Sequence, residues 1–358
     1  MSIITKSQQV QDYLRRAIAT DRWSPDERLP GERELVVELG VSNTTLRHAL
    51  NALTYEGLIV RKPGSGTYVS GQSVRSPYIG VLLKDSQLSC GMGYWYHHLM
   101  DELKKQIEAS GHNVMMTLGH GDTDEEFVSS INLFDRASSR TLQGLICITH
   151  PGSVLNRLEN IGIPIVTLRI GYPLGMHSVV LDYQELIKTA VQMLASAGHG
   201  DFAVMYEDVP KRSNAPAHKT ARQEMLNLLS AAVGYSDERL IPVKYSLDYS
   251  NAYDAFKEWW SKPNRPNSIF FSDDAFCDVA IPAILELGIK VPEELSIVTH
   301  ANIARQFNFP VPLTRIGFDP AETVGACWRI LNNLISGVSV DQPIVYIPPH
   351  VQMGESLR

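Results

Sequence analysis

A short stretch that begins at residue 42 places several side chains able to hydrogen-bond to nucleic acids at the start of one predicted helix. Its apolar residues recur at helical spacing and define one stripe, formed by Leu46, Ala49, Leu50 and Leu53. The opposite face then presents Asn43, Thr44 and Arg47. Asparagine matches adenine edges, and the arginine fork fits guanine or phosphate. Because recognition helices present their N-terminal end to base edges, this stretch predicts a helix that reads DNA.

The residues that bound this helix fit the same interpretation. Ser42 is a suitable N-cap, and Gly57 is a suitable residue to end the helix. The hydroxyl groups of Ser42 and Thr45 can also reach phosphate oxygens. Both ends of the recognition helix are therefore predicted from local sequence.

Two upstream helices must hold the recognition helix in place. One apolar stripe predicts a helix over about residues 7–20, and it consists of Val10, Tyr13, Leu14, Ala17 and Ile18. The segment GERELVVELG predicts a short second helix that ends in a left-handed cap at Gly40. About three residues separate it from the recognition helix, which is the spacing of a helix-turn-helix.

A glycine-rich hairpin is predicted directly after the recognition helix. The apolar runs LIVRK and TYVS flank the tip PGSG. Gly64 and Gly66 let the backbone approach DNA closely, while Arg61 and Lys62 supply positive charge at the base of the hairpin. Three helices followed by such a hairpin predict a winged helix over residues 1–70.

The charge distribution supports this location for a DNA contact. The chain of 358 residues has a net charge of −7, but residues 1–75 carry +2 and the remainder carries −9. Within residues 41–75 there are four basic side chains and one acidic side chain. Only the N-terminal part therefore has a surface that phosphates would tolerate.

Composition excludes several other classes of protein. No run of about 18 apolar residues is present, and the N-terminus lacks the apolar block of a signal peptide, so a cytoplasmic protein is expected. The four cysteines have neither zinc-ligand nor disulfide-framework spacing, and we expect reduced, buried thiols at Cys90, Cys147, Cys277 and Cys327. The scattered histidines predict no metal site.

The remaining chain predicts an α/β fold. A polar segment at residues 71–77 is expected to be a linker, and residues 78–358 a ligand-sensing domain. In that domain nine short apolar runs alternate with amphipathic helices, from YIGVLL to LSIVT. Such alternation is typical of doubly wound parallel sheets covered by helices on both faces. Nine strands exceed an ordinary single sheet, so two lobes are predicted.

The run LPGERELVVELGVSNTTLRHALNALTYEGLIVRKPGSGTYV resembles the GntR-type winged helix along its whole length. By that resemblance, the DNA-contacting positions are Arg33, Ser42, Thr44, Thr45, Arg47, Gly64 and Gly66. Two positions depart from the family pattern: Asn43 stands where arginine is common, and Gly31 precedes Glu32. Because asparagine favours adenine where arginine favours guanine, the operator preference is expected to differ from the common pattern.

The second part resembles the LacI/GalR effector domain, which is similar to a periplasmic sugar-binding protein with a cleft between two lobes. The resemblance is carried by IPIV at 163–166, ARQEMLNLL at 221–229, IFFSDDAFCDVAIPAILELGIKVPEELSIV at 269–298 and PLTRIGFDPAETVGACWRIL at 312–331, among other motifs. Fusion of this domain to a GntR-type winged helix resembles the AraR-like arabinose-responsive repressors.

The resemblance also implies positions for ligand contacts. Arg222 matches an arginine that hydrogen-bonds effector hydroxyls, and Asp273 and Asp274 match a polar pair at the end of a strand. Tyr249 falls where an aromatic ring stacks on a sugar, and Phe318 follows the last core strand near the cleft.

Two positions differ from this pattern of ligand contacts. Arg169 and Ala301 stand where the family has acidic residues. This change suggests a ligand with negative charge, such as a sugar acid or phosphate, unless Arg169 pairs with an acid in its own lobe. Tyr94, Trp95 and Tyr96 either line the cleft mouth or begin a packed helix.

These features together predict a DNA-binding transcriptional regulator, of the repressor kind. It is expected to bind double-stranded operator DNA as a homodimer under the control of a small polar ligand, a sugar or sugar derivative. No catalytic constellation and no cofactor site are predicted. The alternatives are an enzyme with a DNA-binding head, for instance of the pyridoxal-phosphate type, and a solute receptor. The first needs a Schiff-base lysine with a phosphate-cradling loop, and the sequence has neither.

Overall fold

The computed structural model describes most of the chain. The described residues are 6–19, 22–55, 57–70, 78–85, 93–121, 124–131, 142–148, 155, 163–208, 229, 240–244, 251–303 and 305–358. The expected linker at 71–77, Cys90, Arg222 and Tyr249 lie outside these residues.

The N-terminal part is a three-helix unit with a two-stranded hairpin. Its elements are α1 (Lys6–Ala19), α2 (Glu32–Leu39), α3 (Asn43–Tyr55), β1 (Ile59–Lys62) and β2 (Gly66–Val69). The predicted stripe of α3 is fully buried and packs with α1 and both strands in one apolar core. β1 and β2 pair antiparallel around the PGSG turn, as predicted. Gly40 adopts the left-handed conformation at the end of α2, with φ of 61°.

The first lobe contains a six-stranded sheet in the order β13-β7-β6-β5-β3-β4. Its strands and two of its helices are β3 (Tyr78–Lys84), α4 (Gly93–Ala109), β4 (Asn113–Gly119), α5 (Asp124–Ser130), β5 (Gly144–Cys147), β6 (Ile165–Ile170), β7 (Ser178–Leu181) and β13 (Ile344–Ile347). All neighbouring strands are parallel. Because its central strands are buried on both faces, their sequences are nearly continuous apolar runs.

The second lobe contains another six-stranded sheet, in the order β14-β12-β11-β10-β8-β9. The elements that complete the chain are α6 (Tyr183–Ser196), β8 (Ala203–Asp208), β9 (Leu240–Lys244), α7 (Asn251–Trp260), β10 (Ser268–Phe271), α8 (Asp274–Glu286), β11 (Ser296–His300), β12 (Thr314–Gly317), α9 (Pro320–Ile335) and β14 (His350–Gln352). Only β14 at the edge runs antiparallel. The predicted two-lobed α/β fold is confirmed.

The chain passes between the lobes three times. It crosses between β7 and α6, between β12 and α9, and between β13 and β14, because α6 packs on the second sheet whereas α9 packs on the first. Asp182 and Asp319 stand at the first two crossings and cap the helices that follow, accepting from the amides of Glu185 and Ala321 at 3.0 and 2.8 Å. Each of these two crossings thus ends at a capped helix start.

Three strands lie beyond the nine predicted. β12, β13 and β14 have only three or four residues each, and β13 pairs with β7 from more than 160 residues away in the sequence. Three of the predicted buried cysteines, Cys147, Cys277 and Cys327, are free and buried in the structure. In the part of the chain that the structure describes, no helix has the length and apolar character needed to cross a membrane.

Candidate DNA interface and ligand cleft

The start of α3 is fixed by Ser42. Its Oγ accepts a hydrogen bond from the Thr45 amide at 3.1 Å and lies 2.8 Å from Thr45 Oγ1. The predicted N-cap is therefore confirmed, and it satisfies one of the amides that a helix start leaves without a partner. The two hydroxyl groups bond to each other in the free protein, so a contact with phosphate would have to share or replace this bond.

The predicted base-reading residues lie on the solvent side of α3. Asn43, Thr44 and Arg47 are exposed, and so is Arg33 on α2. The Arg47 side chain keeps 69% of its surface accessible. The apolar stripe of the helix determines this arrangement, since burying one face must expose the other.

Glu32 joins the recognition helix to the hairpin. Its carboxylate accepts from Arg47 Nε at 3.1 Å through one oxygen and from Arg61 Nη2 at 3.1 Å through the other. Arg61 Nη1 also donates to Asn51 Oδ1 at 3.0 Å. One carboxylate on α2 thereby holds an arginine of α3 and an arginine of β1 in fixed relative positions.

Replacing Glu32 by glutamine is expected to reduce discrimination between operator and unrelated DNA by about three- to tenfold. The change releases both arginines and adds one positive charge, which strengthens sequence-independent phosphate binding while losing the fixed orientation of Arg47. Fluorescence anisotropy on an enriched operator duplex and on a scrambled duplex, at one salt concentration, measures the ratio.

Glu38→Gln is the matched control for this change. Glu38 is also on α2 and also pairs with an arginine, Arg22 at 2.7 Å, but its second contact is Tyr13 on α1. This variant should change both affinities equally. An unchanged affinity ratio in Glu32→Gln, or an equal loss in both variants, would show that Glu32 does not position a base-reading side chain.

The hairpin tip has the backbone that its glycines were expected to provide. Gly64 and Gly66 have φ of 72° and 128°, which side-chain-bearing residues rarely adopt. A Cβ atom at Gly66 would lie 2.7 Å from Arg28 Nε. Lys62 Nζ lies 4.6 Å from the centre of the Tyr68 ring. The tip is therefore shaped by close packing, with cationic groups beside it.

The candidate ligand cleft lies at the ends of three adjacent strands in the second lobe. β10, β11 and β12 are parallel neighbours, so the residues that follow them meet at one edge of the sheet. Asp273 and Asp274 follow β10, His300 ends β11, and Phe318 follows β12. The structure thus brings three of the predicted ligand residues to the same edge.

The two aspartates have different roles in the local structure. Asp273 caps α8, with an oxygen that accepts from the Ala275 amide at 2.9 Å. Asp274 is buried, and its Oδ2 lies 3.3 Å from Arg305 Nε. Arg305 also pairs with the half-exposed Asp278 at 2.7 Å. Asp274 therefore shares the Arg305 guanidinium with Asp278, in surroundings largely closed to solvent.

Arg305 places this edge against the first lobe. Its guanidinium lies 4.9 Å from the centre of the Tyr94 ring, and Tyr94 is on α4 of the first lobe. Phe307 flanks the same guanidinium at 5.2 Å. A partly buried cation beside two aromatic rings is a favourable arrangement that connects the lobes. Tyr94 hence lines the cleft, whereas Trp95 and Tyr96 pack in the core.

Burial has a large effect on Asp274. The pKa of this carboxyl rises to about 8, chiefly because of burial; the nearby Asp273 carboxylate also raises it, and Arg305 lowers it. Removing a carboxylate from water disfavours its charged form, and one cation does not compensate fully. Asp274 is therefore able to donate a hydrogen bond at neutral pH.

Phe318, which the sequence placed near the cleft, is buried in the core. Its side chain is only 1% exposed and belongs to the core shared by the two lobes. Its amide donates to Asn302 Oδ1 at 2.8 Å, and its ring centre is 6.3 Å from that of His300. A role in the ligand site stays a prediction.

Arg169 is held within the first lobe. Its Nη2 donates to the Tyr172 hydroxyl at 3.0 Å, and its guanidinium lies over the Tyr172 ring. Among the described residues no carboxylate lies within 4 Å of it, and its hydrogen bond and ring contact both come from the first lobe. The structure does not bring Arg169 to Asp273 and Asp274, and its part in ligand binding stays a prediction, as do those of Arg222 and Tyr249.

Sequence reasoning missed the residues that organise both sites. Arg305, Asp278 and His300 were not singled out, and Glu32 was noted only as a neighbour of Gly31. Arg61 is 29 positions from Glu32, so no periodic pattern relates them. An excess of negative charge was visible in the sequence, because Asp273, Asp274 and Asp278 lie within six positions and need a compensating cation. The sequence did not show that Arg305 supplies that cation.

Comparison with known proteins agrees with this architecture. Residues 6–69 match the model of bacterial regulatory proteins of the gntR family, and residues 179–357 match that of the periplasmic binding protein-like domain. The chain is 23% identical over 374 residues to the arabinose metabolism transcriptional repressor of Geobacillus stearothermophilus, covering 96% of each. It is 21% identical over 338 residues to the transcriptional repressor PurR of Serratia proteamaculans, covering 89% of this chain and 95% of the relative.

A solved structure shares the fold of the larger part. A LacI family transcriptional regulator from Bifidobacterium animalis subsp. lactis superimposes with a TM-score of 0.60 at 19% identity, over 79% of this chain and 98% of that one. A winged helix with an exposed recognition face, followed by two doubly wound lobes, defines a DNA-binding transcriptional regulator. The chain belongs to the periplasmic binding protein-like family and carries a gntR-family DNA-binding domain at its N-terminus.

Proposed function

We propose that this protein represses transcription by binding an operator as a homodimer, and that a small polar ligand in the cleft controls this binding. The observation that carries the proposal is the exposed face of α3, where Asn43, Thr44 and Arg47 stand beside a glycine-rich hairpin. The winged helix comprises residues 1–70, the linker 71–77, and the sensing domain 78–358. A single headpiece makes few contacts, so two copies would engage a pseudo-palindromic site.

The ligand is a sugar or sugar derivative in this proposal. Two relatives are repressors of arabinose metabolism, which makes arabinose the first sugar to test. Its contacts are proposed at Arg169, Arg222, Tyr249, Asp273, Asp274 and Phe318. Sugars leave water only where each hydroxyl meets a partner, and a cleft edge with carboxyl groups and aromatic rings offers such partners.

Coupling between ligand and DNA would act through the lobes. The chain crosses between them three times, so closing the cleft would change the relative placement of the two headpieces in a dimer. A ligand that binds one arrangement more tightly shifts the population toward it, and DNA affinity changes accordingly. The protein has no catalytic role in this scheme, uses no cofactor and works in the cytoplasm.

The test combines DNA binding and calorimetry. The operator is enriched from random duplexes, and the affinity of the protein for it is measured with and without each sugar of a panel.

Isothermal titration with a responding sugar should then give at least tenfold weaker sugar binding for Arg222→Ala and for Asp274→Ala. Arg329→Ala, an exposed position on α9, serves as the matched control. Equal dissociation constants in all variants would reject the proposed contacts, and failure to enrich any duplex would reject the regulator itself.

A further inference from the structure

His300 is the described side chain with two buried polar atoms that lack partners. It ends β11 at the edge of the second sheet that faces the first lobe. Neither Nδ1 nor Nε2 is accessible to solvent, and neither makes a hydrogen bond of acceptable geometry within the described part of the chain. Buried polar groups in native proteins almost always have partners, so each exception needs a specific explanation.

The surroundings of His300 keep its ring in place without using its nitrogens. The Tyr183 ring packs edge-on at 6.0 Å between centres, and the Phe318 ring at 6.3 Å. Tyr183 is itself anchored, because its hydroxyl donates to the Ser272 carbonyl at 2.6 Å. The imidazole is therefore fixed by two aromatic contacts, which leaves its polar atoms for another group.

The protonation state of the ring follows from its burial. Burial lowers the pKa of His300 below its ordinary value, although the Asp273 carboxylate and the Asn302 side chain favour the charged form. A neutral imidazole has one N–H donor and one acceptor nitrogen. This pair matches a hydroxyl group, which both donates and accepts.

We infer that His300 is a ligand-binding residue of the cleft, and that it binds a hydroxyl group of an uncharged polyhydroxy compound. The inference rests on the proposed function, since it assumes that the edge formed by β10, β11 and β12 is the ligand site. It adds a residue to that site and specifies the charge of the ligand.

The charge of the cleft edge argues against an anionic ligand. Asp273, Asp274 and Asp278 stand within six positions of one another, and Arg305 contacts two of them. A sugar acid or phosphate beside His300 would face this carboxyl cluster, and Arg305, the cation that contacts it in the described part of the chain, is already paired. Arg169, which suggested a negatively charged ligand, is bound to Tyr172 and has no described contact with this edge. Uncharged hydroxyl groups carry no such repulsion.

The first experiment needs no ligand. In the full-length protein, His300→Phe keeps an aromatic ring and removes the two nitrogens that lack partners, so the ligand-free variant should melt at the same temperature as the wild type or a few degrees higher. His199→Phe is the matched control, because His199 bonds Asn267 Oδ1 at 3.3 Å and the Arg358 carbonyl at 2.8 Å. That variant should melt at a lower temperature. A comparable fall in His300→Phe would overturn the inference.

The second experiment uses three sugars with the same ring configuration. D-galactose, L-arabinose and D-galacturonate differ only at C5, where they carry a hydroxymethyl group, a hydrogen and a carboxylate. At a fixed millimolar concentration the two uncharged sugars should raise the melting temperature of the wild type, and D-galacturonate should raise it less. The shift should vanish in His300→Phe and return in part in His300→Gln, since an amide both donates and accepts.

The outcomes separate the inference from the proposed function. A wild type that responds to a sugar, with an equal response in His300→Phe, overturns the inference and leaves the proposed function intact. A larger shift with D-galacturonate than with D-galactose overturns the uncharged ligand. A wild type that responds to none of the three sugars, while it binds an enriched duplex, contradicts the sugar ligand of the proposed function and the inference with it.

Discussion

Arg47→Ala is expected to weaken operator binding by about 1–3 kcal/mol, which corresponds to a loss of roughly five- to more than a hundredfold in affinity. Arg47 lies on the exposed face of α3, and Glu32 holds its Nε at 3.1 Å. The two Nη atoms make no hydrogen bond in the described part of the chain, so the end of the fork remains for a guanine edge. Preorganisation by Glu32 also lowers the entropy lost on binding.

The measurement is fluorescence anisotropy with the enriched operator and a scrambled duplex at fixed salt. The loss should be large on the operator and small on the scrambled duplex. Arg22→Ala is the matched control, because Arg22 is also an arginine of the winged helix paired to a glutamate of α2. Operator affinity that is unchanged in Arg47→Ala, or that falls equally in both variants, would exclude Arg47 as a base-reading residue.

Asp274→Asn is expected to stabilise the protein at pH 8.5, by up to a few kcal/mol. The pKa of the buried carboxyl is about 8, against an ordinary value of 3.8. The folded state therefore binds this proton more tightly than the unfolded state does, and stability is lost as the pH rises from about 4 through about 8. Each pKa unit between the folded and the unfolded state changes the free energy of unfolding by about 1.4 kcal/mol. Asparagine stays neutral and avoids this loss.

Urea unfolding at several pH values checks this expectation. The advantage of Asp274→Asn should shrink as the pH falls from 8.5 to 5.5, because the wild-type carboxyl becomes protonated. Asp278→Asn is the control, since Asp278 contacts the same arginine but is half exposed. It should change stability little at any pH. A variant at Asp274 that is less stable than the wild type at pH 8.5 would mean that the ion pair with Arg305 outweighs the burial of the charge.

Local sequence determined most of the winged helix. The three helices, the Ser42 cap, the Gly40 terminus and the hairpin were all predicted, because each depends on contacts between residues a few positions apart. The exposed face of α3 was predicted as well, because burying the apolar stripe leaves the helix only one orientation on the core. In the lobes, the buried parallel strands were predicted from their apolar runs for the same reason, and so was their division into two sheets.

Only the tertiary structure decided how the two sites are organised. The Glu32 bridge joins residues up to 29 positions apart, and β13 joins a sheet formed mainly before residue 182. Arg305 reaches Tyr94 across the cleft, more than 200 positions away, and burial between packed segments raises the pKa of Asp274. Periodicity reports which face of an element is buried. It does not report what that face meets, so ion pairs, burial of charge and the burial of the His300 ring depend on packing between distant segments.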